Sequence, residues 1–171
     1  MSIENVSPQM EKRFEVLDEM IEQGYIETVK PLFDWLPTLC YFPNKTSKFD
    51  NAPPELKKQF NLMFSWYGFW LGIFAFVQTR LEKDYLICVG IINLVVSCLP
   101  ATALDYIFAI GVNICAAQCF VFTRYYQFKN FGRCPSNRNT FSTICLSLVY
   151  FFGLIIVGVI IHEILYPETN Y

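Results

Sequence analysis

The residues to weigh first for chemistry are a single histidine and seven cysteines. His162 and Glu163 adjoin near the end of the chain, where they would suit a proton-transfer pair or a metal ligand. One histidine cannot by itself build a histidine zinc cluster or a pair of haem ligands. The sequence also contains no nucleophile elbow, P-loop or dinucleotide fingerprint. We therefore expect a protein that is not an enzyme and that holds no cofactor and no metal.

Three functional roles are possible for the cysteines. Cys88, Cys119 and Cys145 fall on three predicted helices at a similar depth, where metal binding, redox exchange or palmitoylation would require them to adjoin. Because no C-x-x-C spacing and no nearby histidine supports these uses, small apolar packing residues are the simpler interpretation. Cys40 and Cys134 lie an odd number of predicted crossings apart, which excludes a disulfide between them within one chain.

Uncharged amides are the strongest polar groups within the predicted membrane segments. Asn93 and Asn113 lie about ten residues either side of a predicted helical hairpin turn, so we expect them at matching depth, hydrogen-bonded to each other. Gln118 follows about one helical turn later. No acidic or basic residue lies in the centre of any predicted span, which argues against a pump or a coupled transporter. The three amides instead allow an alternative, a passive oligomeric channel or facilitator with an uncharged polar pore.

The elements that carry these residues follow from hydropathy. The chain has 171 residues, of which 54% are hydrophobic and 16% charged, with a formal net charge of −2 that argues against a nucleic-acid partner. After residue 59 the chain is too apolar for a soluble domain, and continuous apolar runs without alternation predict helices rather than barrel strands. We predict an all-α, integral membrane four-helix bundle over 60–166, followed by a short tail, 167–171. The four predicted spans are 60–78, 85–104, 106–123 and 141–166.

The first predicted span carries a small-residue motif. Gly68 and Gly72 form a G-x-x-x-G pair that Ala75 continues on nearly the same face. Small residues let a second helix approach closely in lipid, either within this bundle or from another protein.

Residues 1–59 form a different unit, an amphipathic and interfacial N-terminal segment. Ser7, Pro8 and Gly24 bracket a predicted helix with an acidic polar face. Its apolar face is Met10, Phe14, Leu17 and Ile21, which we expect to pack on a protein surface, either the chain's own or a partner's, and which we assign to partner binding. The proline- and aromatic-rich segment 31–43 predicts an interfacial element, and 44–52 a polar linker.

Positive residues suggest a topology and a lipid contact. The loop between the third and fourth spans contains bases and aromatics but no acid, so we assign its bases to anionic headgroup binding. The positive-inside rule favours this loop in the cytosol, whereas Lys57 and Lys58 argue for the opposite orientation. Asn44 begins an N-glycosylation pattern that matters only if the termini are lumenal. The headgroup-binding candidates are Arg124, Lys129, Arg133 and Arg138.

These patterns predict a small multi-pass membrane protein that works by binding. We expect a non-catalytic accessory, scaffold or assembly subunit whose partners are other membrane protein subunits and membrane lipids. A lipid-modifying membrane enzyme using cysteine, His162 or Glu163 is a third alternative. With no amino-terminal signal or transit peptide, an internal helix would direct insertion, into the endoplasmic reticulum or secretory membranes or, alternatively, the mitochondrial inner membrane.

Overall fold

A computed structural model describes residues 4–31, 41–99 and 104–167, without side-chain detail at 88 and 104–109. This part of the chain is mostly helical, as expected of an all-α protein, with one short antiparallel strand pair. A 3-10 turn, Phe49–Asn51, follows the strands. The elements in chain order are α1 (Pro8–Glu22), β1 (Lys30–Pro31), β2 (Tyr41–Phe42), α2 (Pro54–Asn61), α3 (Trp66–Leu71), α4 (Ile73–Gln78), α5 (Glu82–Ser97), α6 (Leu104–Phe131) and α7 (Thr140–Leu165).

The amphipathic N-terminal helix is present, and its apolar face is buried within the chain itself. The Ser7 hydroxyl accepts a hydrogen bond from the Met10 N–H at 3.3 Å and caps α1, which begins at Pro8. Phe14 and Leu17 are at most 1% exposed and belong to a core that includes Tyr125 of α6. α6 of the same chain therefore covers Phe14 and Leu17, and the partner-binding assignment of this face gains no support. Met10 and Ile21 pack on the same core while remaining partly exposed.

The segments between α1 and α2 are also folded onto the rest of the chain. β1 and β2 pair with Lys30 opposite Phe42. Tyr41 is buried, with its ring centroid 4.6 Å from that of Tyr126 in α6. The predicted linker 44–52 is structured, since the Thr46 hydroxyl donates to the Gly24 carbonyl at 2.7 Å. Residues 32–40 of the predicted interfacial element lie outside the described residues.

The first predicted span, 60–78, is not one helix. It contains the end of α2, then α3 and α4, and two hydrogen bonds of Ser65 mark the break after α2. The Ser65 hydroxyl caps α3 by accepting from the Gly68 N–H at 3.0 Å, while the Ser65 N–H donates to the Ala117 carbonyl of α6 at 3.0 Å. Between α3 and α4, Gly72 has a φ of +46°, which interrupts helical geometry.

The other three predicted spans agree to different degrees with the bounds of the helices in the structure. The prediction 141–166 coincides with α7 to within one residue at each end. For 106–123, the helix α6 continues eight residues further, to Phe131. For 85–104, α5 begins at Glu82 and has 16 residues, about 24 Å at the usual helical rise. Residues 100–103, near the predicted helical hairpin turn between these two spans, lie outside the described residues.

A single helix of the described residues, α7, is long and apolar enough to cross a membrane, judged by length and composition. Its 26 residues exceed the approximately 20 that a bilayer core requires. The four-span bundle therefore stays a prediction.

Candidate functional site

Two of the four predicted headgroup-binding bases form salt bridges within the chain. Lys129 forms a salt bridge of 2.7 Å with Asp18 of α1. Arg138 forms a salt bridge with Glu82 of α5, and its Nε also donates to the Val77 carbonyl at 3.3 Å. These contacts tie α6 to α1 and the start of α7 to α5. A carboxylate offsets the positive charge in each contact, and headgroup binding by these two bases stays a prediction.

Arg124 differs from these two bases, because its charge is buried beside neutral groups. The residue is 4% exposed, and its Nη2 donates to the Asn5 carbonyl at 3.0 Å while its Nη1 lies 3.4 Å from the Thr79 carbonyl. Burial lowers the pKa of its guanidinium from the ordinary value. No carboxylate of the described residues lies within salt-bridge distance of it. Arg133, the fourth predicted base, is exposed.

A cavity of about 480 Å³ lies beside Arg124 and contains a second arginine that sequence reasoning missed. Arg13 of α1 lines this cavity, donates from Nη2 to the Phe64 carbonyl at 3.1 Å, and has its pKa lowered by burial. The signal was available in the sequence, since Arg13 is three residues after Met10 and four before Leu17, on the apolar face of α1. We call this space the arginine cavity.

The predicted small-residue motif serves two separate purposes. A Cβ added to Gly68 would lie 3.6 Å from both the Ala117 Cα and the Phe120 Cβ, so α3 and α6 approach closely there. Gly72 supplies the backbone break, and a Cβ at this position would lie 3.6 Å from the Asn113 Oδ1, so Gly72 also faces α6. Ala75 is fully buried in the core between α4 and its neighbours. This geometry is that of packing within the chain.

The two asparagines predicted to pair contact different elements. The Asn93 side chain donates to the Leu154 carbonyl of α7 at 3.0 Å. A Cβ on Gly72 would lie 3.6 Å from the Asn113 Oδ1, which places Asn113 against the junction of α3 and α4. Gln118 is exposed on α6. The three amides lie in different surroundings, so the channel alternative gains no support from their placement.

Sequence reasoning missed the residue that lets Asn93 reach α7. A Cβ on Gly158 would lie 3.1 Å from the Ser97 Oγ and 3.2 Å from the Asn93 Nδ2, closer than nearly all real Cβ contacts. Gly158 thus allows α5 and α7 to approach each other. With His162, these residues line a smaller cavity of about 260 Å³.

The described residues proposed for an enzyme lie in different surroundings. His162 Nε2 is buried and has no hydrogen-bond partner among the described residues, while the adjacent Glu163 is exposed. Cys119 is buried and Cys145 is exposed, so they do not share one environment. The side chain of Cys88 lies outside the described residues. Within the described ranges, no group of three or more His, Cys, Asp or Glu could hold a metal ion.

Asn44, the possible glycosylation acceptor, is exposed and takes part in the strand region. Its Nδ2 donates to Glu27 Oε2 at 3.1 Å, and Glu27 also pairs with Lys30 at 3.3 Å. The hydrogen bond from Asn44 lowers the pKa of the Glu27 carboxyl most, and the contact with Lys30 lowers it further.

A broad apolar surface is the remaining feature. Large apolar side chains are exposed along the whole of α7, from Phe141 at 79% to Ile164 at 72%. The exposed surface continues onto α5 at Val95 and onto α6 at Ile110. Trp66 and Trp70 of α3 are also exposed, with their rings stacked at 6.5 Å. We call the exposed part of α5, α6 and α7 the apolar surface.

Comparison with protein-family models, with curated proteins and with solved structures found no match for this chain.

Proposed function

We propose that this chain is an integral membrane protein that works as a non-catalytic accessory, scaffold or assembly subunit of a larger membrane protein complex. The observation that carries the proposal is the exposure of α7. Only 11% of its most apolar 18-residue window is buried inside the chain. In water such a surface would be strongly unfavourable, whereas lipid tails or a neighbouring transmembrane helix would solvate it.

The apolar surface also suggests more than one crossing. Val95 of α5 is 58% exposed and Ile110 of α6 is 57% exposed, so the neighbours of α7 present the same kind of surface. We propose that α5 and the first part of α6 enter the bilayer beside α7. The stacked pair Trp66 and Trp70 fits the aromatic belt at a membrane boundary.

A position on α7 favours a protein neighbour over lipid alone. Gly153 is exposed, and nothing lies within 4 Å of the place where its Cβ would be. Small residues on an outer helical face let a second helix approach closely in lipid, where packing drives association. We propose that a transmembrane helix of another subunit packs at Gly153, in endoplasmic reticulum or secretory membranes, with the mitochondrial inner membrane as the alternative.

Two measurements test this proposal. Alkaline carbonate washing of native membranes should leave the chain in the pellet, and its release into the supernatant would refute membrane integration. After mild detergent extraction, native electrophoresis should show the chain in a species larger than its own 19.9 kDa plus detergent. Migration only as a monomer would refute the subunit role.

A matched pair of variants locates the contact. Gly153→Leu fills open space and should leave the fold intact while releasing the chain from the larger species. Val159→Leu enlarges an exposed side chain about 120° around α7 from Gly153 and should leave the larger species unchanged. Equal behaviour of the two variants would contradict a helix contact at Gly153.

A further inference from the structure

The arginine cavity contains two positive charges and no described acidic side chain among its lining residues. The two guanidiniums, of Arg13 and Arg124, donate instead to backbone carbonyls, which are neutral acceptors. A desolvated charge without a counter-charge is costly, and an anion that enters the cavity would offset that cost. The charge balance of this cavity therefore favours an anionic occupant.

The same contacts hold the guanidiniums in place before any ligand arrives. Arg124 is bound from two sides, by Asn5 near the amino terminus and by Thr79 after α4. Each guanidinium carries five N–H donors in a planar fork, so donors remain beyond those used on carbonyls. This fork matches the oxygens of a phosphate group particularly well.

Neutral hydrogen-bonding side chains complete the polar wall. The lining includes amides and hydroxyls, which bind phosphate oxygens without adding charge. A volume of about 480 Å³ exceeds what a bare phosphate fills and suits a phosphate joined to a further group. Amide residues of the lining include Asn5, Gln9, Gln78 and Asn137, and hydroxyl residues include Ser7 and Tyr67.

The position of the cavity in the fold indicates what that further group is. Asn137 of the cavity lies three residues before α7 begins. Arg124 lies twenty residues after the start of α6, and these twenty residues span about 30 Å along the axis of that helix. That distance equals the thickness of a bilayer core, so the cavity lies at the level of lipid headgroups if α6 and α7 cross the membrane as proposed. Trp66, which is 63% exposed, forms part of the wall at this level.

We propose that the arginine cavity binds the phosphate group of an anionic phospholipid, through Arg13 and Arg124. The phosphate oxygens accept hydrogen bonds from both guanidiniums, and the acyl chains leave the cavity past the exposed Trp66 of its wall. The assignment of the phosphate to a lipid rests on the proposed membrane placement, whereas phosphate binding itself rests on the cavity alone.

The test uses the full chain purified in a neutral detergent at fixed ionic strength. Tryptophan fluorescence, to which Trp66 contributes, is followed during titration with dihexanoyl phosphatidic acid, dihexanoyl phosphatidylcholine or sodium phosphate. Phosphatidic acid should give a saturable change, and phosphatidylcholine and inorganic phosphate should bind at least about tenfold more weakly. Absence of a saturable change with any phosphate compound would overturn the proposal, and equal affinity for inorganic phosphate and phosphatidic acid would overturn the lipid source.

Charge-removing variants separate the cavity from general surface attraction. Arg13→Gln should weaken phosphatidic acid binding about tenfold or more, because it removes charge-assisted hydrogen bonds at a partly exposed site that tolerates change. Lys12→Gln removes the same charge from the exposed neighbouring position and should change affinity less than about twofold. Equal weakening in both variants, or none in Arg13→Gln, would refute binding in the cavity.

Arg124→Gln is the more severe variant, since this residue is buried. It should abolish the saturable change while circular dichroism reports whether the helices persist. If the helices persist and binding is unchanged, the proposal is refuted. A chain that carbonate releases from membranes but that still binds phosphatidic acid would refute the proposed function and leave the cavity assignment standing.

Discussion

The truncation Phe14→Ala distinguishes a face that is buried inside the chain from one that binds a partner. Phe14 is 1% exposed, and its ring lies 5.5 Å from that of Tyr125 and 5.7 Å from that of Phe128. Removing a fully buried phenyl ring typically costs about 3–5 kcal/mol, including the cavity left behind. Because both contacts join α1 to α6, we expect the cost to fall on the docking of α1.

Hydrogen exchange measures this cost directly. If the amides of α1 exchange by opening of the helix, a loss of about 3–5 kcal/mol accelerates exchange roughly 100-fold to several-thousand-fold, at tenfold per 1.36 kcal/mol. The measurement is exchange mass spectrometry on the protein in mild detergent, over 8–22. Glu15→Ala, on the exposed face of the same helix, should change the exchange rates by less than about threefold.

One result would refute this reasoning. If Phe14→Ala exchanged at the rate of Glu15→Ala and instead lost a co-purifying protein, the apolar face of α1 would bind a partner after all. The contacts between Phe14 and α6 would then not describe the protein in its membrane.

Three further predictions concern backbone strain, membrane packing and titration. In denaturant titration in detergent, Gly72→Ala should lower the unfolding free energy by about 1–3 kcal/mol, because an alanine is strained at a φ of +46°. Gly153→Ala, at an open helical position, should lower it less. In the same titration, Asn93→Leu should weaken the packing of α5 on α7 by about 0.6–2 kcal/mol, whereas Val95→Leu on the exposed side should leave the unfolding free energy nearly unchanged. Equal losses in the two variants would contradict the contact between Asn93 and α7. Burial, followed by the charges of Asp84 and Tyr126, raises the pKa of Tyr41 to about 12 from 10.0. The unfolded chain therefore releases this proton at a lower pH than the folded protein does. The stabilisation that the protonated Tyr41 gives the fold is complete below pH 10 and is lost as the pH rises towards 12. Tyr41→Phe should therefore reduce the fall in unfolding free energy over that range by up to about 1.4 kcal/mol per pH unit, and an unchanged slope would contradict the burial of this hydroxyl.

Some features could be predicted from the sequence because they depend on neighbouring residues. The amphipathic face of α1 follows from apolar residues at helical spacing, and its start follows from a serine before a proline. The bounds of α7 follow from an uninterrupted apolar run with an asparagine cap before it. In both helices the decisive interactions lie within one or two turns.

Other features required contacts between distant residues. The apolar spacing of α1 shows which side avoids water but not what covers it, and α6 of the same chain covers it. The run 60–78 is apolar throughout, yet it breaks where the Ser65 N–H bonds to α6 and where Gly72 adopts a positive φ. Hydropathy does not contain this information, since a broken apolar segment and a continuous one have the same composition.

The arginine cavity also depends partly on local sequence and partly on contacts between distant residues. The sequence contains Arg13 on an apolar helical face and Arg124 after an apolar run, which indicates two cations close to apolar surroundings. Only the tertiary structure brings them to one cavity, because carbonyls 45 and 119 residues away in the chain, at Thr79 and Asn5, hold Arg124 in place. Helical periodicity is a local property, whereas the environment of a buried charge is set by whichever segments the fold packs around it.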